Sequence, residues 1–184
     1  MLSRSLKLFL FYRLKEHKLL LVGLNSAGKS SILHKLNFSL PSLVPHVNVD
    51  IIRYKKLNIY MFDVPSNPNF QEYLIQNSDA VMFVVDTTDE LSISCGEQLL
   101  PSGSCFQCAR CELHRLMGKP AMSDAVLLVY ANKQDLGDPM AVDEVEDRLQ
   151  LSRITNKWII QPCSAVTGVG LYEGFDFLAT SLSE

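Results

Sequence analysis

Gly23-Leu24-Asn25-Ser26-Ala27-Gly28-Lys29-Ser30 is the stretch on which the reading of this chain turns. It follows directly on a continuous apolar run, His17 to Val22, with the composition of a parallel strand buried on both faces. It runs into Gly28 to Leu36, where Ile32, Leu33 and Leu36 recur at helical spacing. In this order of strand, turn and helix, the pattern G-x-x-x-x-G-K-[ST] is a phosphate cradle. The glycines let the backbone curl until successive N–H groups point at one anion. The helix N-terminus adds its partial positive charge. Asn25, Ser26, Ala27, Gly28, Lys29, Ser30 and Ser31 then surround the phosphates. Lys29 sets an ammonium against the β- and γ-phosphates, and Ser30 offers a hydroxyl to Mg²⁺, a hard cation that prefers oxygen. The plain alternative is a chance glycine-rich turn, which the ordered context argues against.

Outward from this motif the chain alternates strands and helices. Val47 to Tyr54 and Leu57 to Phe62 are β-rich and separated by Lys55-Lys56, which predicts a hairpin. Ala80 to Val85 and Ala125 to Tyr130 are further buried strands, and Trp158 to Pro162 is a shorter one. Asp138-Pro139 has the chemistry of an N-cap and first helical residue, with Val142, Val145 and Leu149 as the buried stripe behind it. Leu171, Phe175, Leu178 and Leu182 form the stripe of a last helix. Leu91 to Phe106 holds Gly96, Pro101 and Gly103 among serines and reads as a loop. The expected fold is therefore α/β, a doubly wound, mostly parallel six-stranded sheet. Residues 1–17 read as an N-terminal amphipathic segment and 18–184 as one nucleotide-binding domain.

Asn132-Lys133-Gln134-Asp135 sits at the carboxyl end of a predicted strand, where doubly wound folds bind ligands. A carboxylate at Asp135 can accept hydrogen bonds from the guanine N1–H and its exocyclic amino group. Adenine has neither donor there and would leave a buried carboxylate unpaired. Asn132 can reach the N7 side of the purine and tie the phosphate loop to this one, and the Lys133 stem can cover the flat face of the base. Polar strand-to-helix loops are common, so N-K-x-D gains its specificity from lying about a hundred residues beyond a phosphate loop in this topology.

The bulk properties agree with a single globular domain. The chain has 184 residues, of which 47% are hydrophobic and 20% charged, enough for one core. A net charge of −3 gives no footprint for nucleic acid, which needs a basic surface. No apolar run approaches the roughly 18 residues of a membrane span. Position 2 is leucine, so the glycine required for N-myristoylation is absent. The five cysteines have no secretory context and read as reduced thiols of a cytoplasmic protein.

GLNSAGKSSIL (23–33), FDV (62–64), FVVDTTD (83–89), DAVLLVYANKQDL (124–136) and CSAVTGVGLYEGFDFL (163–178) resemble, in order, successive blocks of an Arf-like small GTPase. The resemblance covers most of the chain from Leu19 to Leu182 and implies the P-loop small-GTPase fold, with GTP or GDP and Mg²⁺ as ligands. It also implies effector and regulatory proteins as partners. By the same resemblance, Ser164 and Ala165 belong to the loop whose backbone N–H meets the guanine O6. Asp63 matches the acidic residue that holds Mg²⁺ through water; its plain alternative is a strand-end turn residue.

The departures concern the switches. The family senses the γ-phosphate with a switch I threonine and a glycine after the Mg²⁺-site aspartate, and orients the attacking water with a glutamine. Residues 31–62 contain no threonine, and Leu43-Val44-Pro45-His46-Val47-Asn48-Val49 stands where the family has P-T-I-G-F-N-V. The family's D-V-G-G-Q becomes Asp63-Val64-Pro65-Ser66-Asn67. Pro65 has no N–H, Ser66 replaces the sensing glycine, and Asn67 is one methylene short of glutamine. Ser39, Ser42 or Gln71 could substitute only if the loops rearrange. No catalytic residue is assigned, Asn67 standing at the usual glutamine position, and slow or impaired hydrolysis is expected.

Two further features have plain readings beside functional ones. Cys105, Cys108, Cys111 and His114 recur at three-residue spacing, which suggests a metal. A helix over Gln107 to Met117 would spread those positions around its axis, so small apolar thiols on a helix is the preferred reading. Met1 to Lys18 mixes Leu2, Leu6, Phe9 and Leu10 with Arg4, Lys7 and Lys15. Resemblance implies a helix that rests weakly on a membrane through residues 1–15, on the cytosolic face of an internal one, or packs on its own core. Three functions compete: a regulatory GTPase in trafficking or signalling, a non-switching nucleotide-bound scaffold, and an ATP-using P-loop kinase. N-K-x-D and the lack of an acceptor-substrate domain speak against the last.

Overall fold

The computed structural model describes residues 15–36, 49–54, 57–63, 68–93 and 108–183. Among the described residues are six strands, β1 (Lys15–Val22), β2 (Val49–Tyr54), β3 (Leu57–Asp63), β4 (Ala80–Asp86), β5 (Val126–Asn132) and β6 (Trp158–Pro162). They form one sheet in the order β2-β3-β1-β4-β5-β6. Only β2 and β3 pair antiparallel, as the expected hairpin does; β1 pairs parallel with β3 and β4, β4 with β5, and β5 with β6. This is the doubly wound, mostly parallel sheet read from the sequence. After β1 the chain goes to the β2 edge, returns through β3 to lie beside β1, then crosses to β4 on the other side. The crevice at the carboxyl ends of β1 and β4 is the topological switch point.

Alternation along the central strands divides the core in two. Leu19 and Leu21, Ala80, Met82 and Val84, and Val126, Leu128 and Tyr130 face one side. There they meet Ile32 of α1 (Lys29–Lys35), Leu36 just beyond it, and Leu171, Phe175, Leu178 and Ala179 of α6 (Leu171–Ser181). Leu20, Val81, Phe83, Val85, Leu127 and Val129 face the other. They pack on Leu74 and Ile75 of α2 (Pro68–Gln76), Leu113 and Leu116 of α4 (Ala109–Met117), and Val145 and Leu149 of α5 (Val142–Leu149). Full burial on both faces is why these strands read as unbroken apolar runs. Each such leucine or phenylalanine contributes about 1.5–3 kcal/mol.

Several boundaries differ from the sequence reading. β1 begins at Lys15, so residues 15–17 belong to the sheet and not to the N-terminal segment. Asp138-Pro139 does not open α5: Ala141 is the N-cap, with no side-chain cap, and Val142 is the first helical residue. The reason is tertiary. Asp138 has φ +60, and the next turn buries Met140 while its N–H donates to the Thr87 carbonyl at 2.9 Å. Winding the helix from Pro139 would give up that anchor. Val142 is half-buried, whereas Val145 and Leu149 are fully inside. Within the expected 91–106 loop, residues 91–93 complete a single turn, α3 (Glu90–Ile93). The rest of that loop, the switch residues 43–48 and 64–67, and residues 1–14 lie outside the described residues.

One glycine inside α6 has a packing cause. A Cβ built on Gly174 would lie 2.6 Å from the Tyr130 ring and hydroxyl. Tyr130 is fully buried and donates to the Leu171 carbonyl at 2.5 Å. Close approach of α6 to β5 therefore requires no side chain at 174. Gly174→Ala should destabilise the fold by about 1–2 kcal/mol, overpacking outweighing the gain in helix propensity. Urea unfolding would check this; an unchanged or raised midpoint would show that Tyr130 yields without cost.

Candidate functional site

The carboxyl ends of the parallel strands bring three loops to one edge. The first runs from β1 to α1. Ala27 N–H donates to the Leu24 carbonyl at 3.3 Å, closing a turn in which Ser26 takes φ +64. Gly28 follows at φ +101 and caps α1. A Cβ there would sit 2.2 Å from Asn132 Nδ2, so glycine is required both by conformation and by space. Lys29 Nζ donates to the carbonyls of Gly23 (2.8 Å) and Leu24 (3.0 Å), which holds the ammonium over its own loop. Ser30 and Ser31 are exposed on the first turn of α1, which contains no acidic residue. No acidic side chain of its own first turn offsets the positive end of that helix.

The second loop leaves β5 at Asn132, which is 1% exposed. Asn132 Nδ2 donates to the Ala27 carbonyl at 2.8 Å, and its Oδ1 accepts from Ala165 N–H at 2.9 Å. One carboxamide thereby joins the phosphate loop, its own loop and the third loop, which follows β6. Lys133 takes φ +72, a conformation that costs a lysine on the order of 1 kcal/mol. Asp135 is exposed, and Gln134 N–H donates to the Cys163 carbonyl at 3.1 Å. In the third loop Ser164 is buried; its Oγ accepts from Thr167 N–H and its carbonyl from Gly168 N–H. Asp63 ends β3, its backbone in register with Leu21 of β1.

The turn after β4 belongs to this constellation, although sequence reasoning gave Asp86 and Thr87 no role. In the sheet, Asp86 is in register with Asn132. Thr87 donates to the Asn132 carbonyl through both N–H (3.1 Å) and Oγ1 (2.8 Å), and Gln134 Nε2 donates to Thr87 Oγ1 at 3.2 Å. Lys133 Nζ donates to Asp86 Oδ2 at 2.5 Å, while Thr88 N–H and Oγ1 donate to Asp86 Oδ1. Burial alone would raise the Asp86 carboxyl, but the Lys133 and Thr88 hydrogen bonds outweigh it and hold it below the usual carboxylate range. The available signal was position: a polar D-T-T immediately after a buried strand that neighbours the N-K-x-D strand.

The cysteine and histidine series has structural employment where it is described. Cys108 Sγ caps α4 by accepting from Cys111 N–H at 3.4 Å, and His114 Nε2 is 2.8 Å from the Leu149 carbonyl. Among the described residues no group of three or more His, Cys, Asp or Glu is placed to hold a metal ion; Cys105 lies outside them.

A glycine-rich strand-to-helix loop at the switch point, joined through Asn132 to an N-K-x-D loop on the same edge, defines the class: a P-loop guanine-nucleotide-binding α/β protein. Residues 3–182 match the family model of the ADP-ribosylation factor family. The chain belongs to that family and is a small GTP-binding regulatory protein of Arf type.

Asn132→Ala leaves the Ala27 carbonyl and the Ala165 N–H without their partner in the interior, and should lower stability by about 2–4 kcal/mol. Chemical denaturation of the two proteins measures it. Burial, with help from the Asp135 charge, pushes the Cys163 thiol up to about 12. At pH 8 it is therefore protonated, and iodoacetamide should label it about a hundredfold or more slower in the folded protein than in urea. Peptide mapping that found similar rates would contradict this.

Proposed function

We propose that the chain binds GTP or GDP with Mg²⁺ at this edge, acts as a regulatory protein in membrane trafficking or signalling, and hydrolyses GTP slowly if at all. The observation that carries the reading is the Asn132 carboxamide bridging the phosphate loop and the Ser164–Ala165 loop. In this reading Asn25 to Ser31 wrap the phosphates with backbone N–H groups, and Lys29 turns its ammonium to them. Asp135 accepts from guanine N1–H and its amino group, Lys133 covers the ring, and the Ser164–Ala165 backbone meets O6. The donor chemistry fits Mg²⁺: the Ser30 hydroxyl stands exposed on a helix turn free of carboxylates, and Asp63 ends the neighbouring strand. Together they offer the hard oxygens that this ion prefers, and the ion's charge would offset that of the phosphates.

What the switch sequences lack sets the limit on turnover. Pro65 donates no N–H, Asn67 stands at the place of the water-orienting glutamine, and residues 31–62 have no threonine. A nucleotide-bound scaffold recognised by partners, with no switching, is the second reading, and these three replacements favour it. Residues 1–15, with leucines and phenylalanines among lysines and arginines, suit a weak contact with the cytosolic face of a membrane.

The test is to purify the protein without added nucleotide, release what it carries with acid, and identify it by chromatography. About one guanine nucleotide per chain is expected. Single-turnover hydrolysis of loaded GTP should run at or below the unassisted small-GTPase rate, on the order of 10⁻⁴ s⁻¹. A faster rate would remove the slow-turnover reading; bound adenine nucleotide would remove the guanine assignment itself.

A further inference from the structure

We infer that Asp86 is a positioning residue for the guanine pocket: its carboxylate fixes the Lys133 ammonium, so that the Lys133 stem lies where the face of the base docks, and it thereby sets how slowly guanine nucleotide leaves. The inference rests on the nucleotide reading above and deepens it.

Three features of the β4 turn carry it. Lys133 and Asp86 meet at 2.5 Å with both side chains largely withdrawn from water, 28% and 15% exposed. Such a pair is shielded from salt and held in one geometry, unlike a surface ion pair. The carboxylate is itself clamped, because its other oxygen accepts twice from Thr88. The backbone beneath is tied as well: Thr87 donates twice to the Asn132 carbonyl and accepts from Gln134. Every residue from 132 to 134 is thus anchored to 86–87 by at least one bond.

The position of Asp86 explains why it can govern release. It lies in the wall of a small cleft of about 50 Å³ that is also lined by Leu24, Asn25 and Ser26 of the phosphate loop. It therefore stands between the loop read as holding the phosphates and the loop read as holding the base. A lysine stem of four carbons is flexible, and its ordering has an entropic cost. An ammonium tethered before the ligand arrives removes most of that cost from the binding step, and tethering lengthens residence more than it speeds arrival. Beyond Asp86, Lys133 and Thr88, the negative charges of Asp135 and Asp89 lie on the flanking loops.

The experiment uses the full chain loaded with a fluorescent GDP analogue, with release followed after addition of excess GDP. Asp86→Asn keeps the size and the bonds from Thr88 but removes the charge, and should speed release about tenfold. Lys133→Met, which keeps a stem and loses the ammonium, should do the same. In the Lys133→Met background Asp86→Asn should change the rate by less than about twofold, because the two residues act as one device. Inosine diphosphate, which lacks the exocyclic amino group, should be accelerated by the same factor as GDP, since the stem touches the ring face and not that group. A residue that merely supported the fold would cost the same in both lysine backgrounds, and that additive result overturns the inference. So does unchanged release from Asp86→Asn in a protein whose wild type binds GDP. A wild type that binds no guanine nucleotide overturns the inference together with the reading beneath it.

Discussion

The carboxamide of Asn132 is the constraint on which the nucleotide edge depends. It donates to the Ala27 carbonyl and accepts from Ala165 N–H, on segments 105 and 33 residues away in sequence. Buried to 1% exposure, those bonds form in a medium where they are strong and where their absence would be costly. The loops are consequently not three independent turns that happen to be near one another. Moving the phosphate loop moves the amide, and moving the amide disturbs Ala165 N–H. Gly28 is part of the same constraint, because any Cβ there would occupy the place of Asn132 Nδ2. Local backbone chemistry at 28 and long-range pairing at 132 are one geometric condition.

That condition is supported from below by strand register. Asp86 and Asn132 are partners across β4 and β5, which sets the β4 turn beside the N-K-x-D loop and lets Thr87 donate twice to the Asn132 carbonyl. The αL conformation of Lys133 is held against its intrinsic cost by this pairing and by the Asp86 carboxylate. Strain of this kind persists only where surrounding bonds over-determine the residue, and here those bonds come from the neighbouring strand.

How much of this could be read in the sequence follows from which forces are local. The buried strands were legible because parallel strands covered on both faces must be apolar at every position, and the G-x-x-x-x-G-K-S and N-K-x-D loops because each packs its chemistry into a few adjacent residues. The start of α5 was not: Asp138-Pro139 has good capping chemistry, but burial of Met140 and its bond to the Thr87 carbonyl prevail. The Asp86 brace depends on which strand lies next to β5, and no local pattern states that. Gly174 reads locally as a weak helix position and makes sense only against Tyr130, 44 residues earlier (174 − 130). Cys108, Cys111 and His114 read as helix residues in preference to ligands; their particular uses, Cys108 as the cap of that helix and His114 against α5, depend on geometry that the spacing does not state.

The proposed reading leaves the two sides of the nucleotide unequally served, and the inequality has a thermodynamic consequence. A ligand moves a protein between states only by the difference in its affinity for them. The groups that distinguish GTP from GDP in the family are a switch I threonine and a glycine after the Mg²⁺-site aspartate, and here a threonine-free stretch and Ser66, preceded by Pro65, stand in their place. The groups read as holding the base and the inner phosphates include Lys29, Asn132 and Lys133, each tied by hydrogen bonds within the fold. Binding free energy then goes to the folded state as a whole: a ligand at a thousand times its Kd adds about 4 kcal/mol to stability whether or not it shifts a switch. In the scaffold reading such a ligand would act as a structural cofactor, stabilising the fold without selecting between two states.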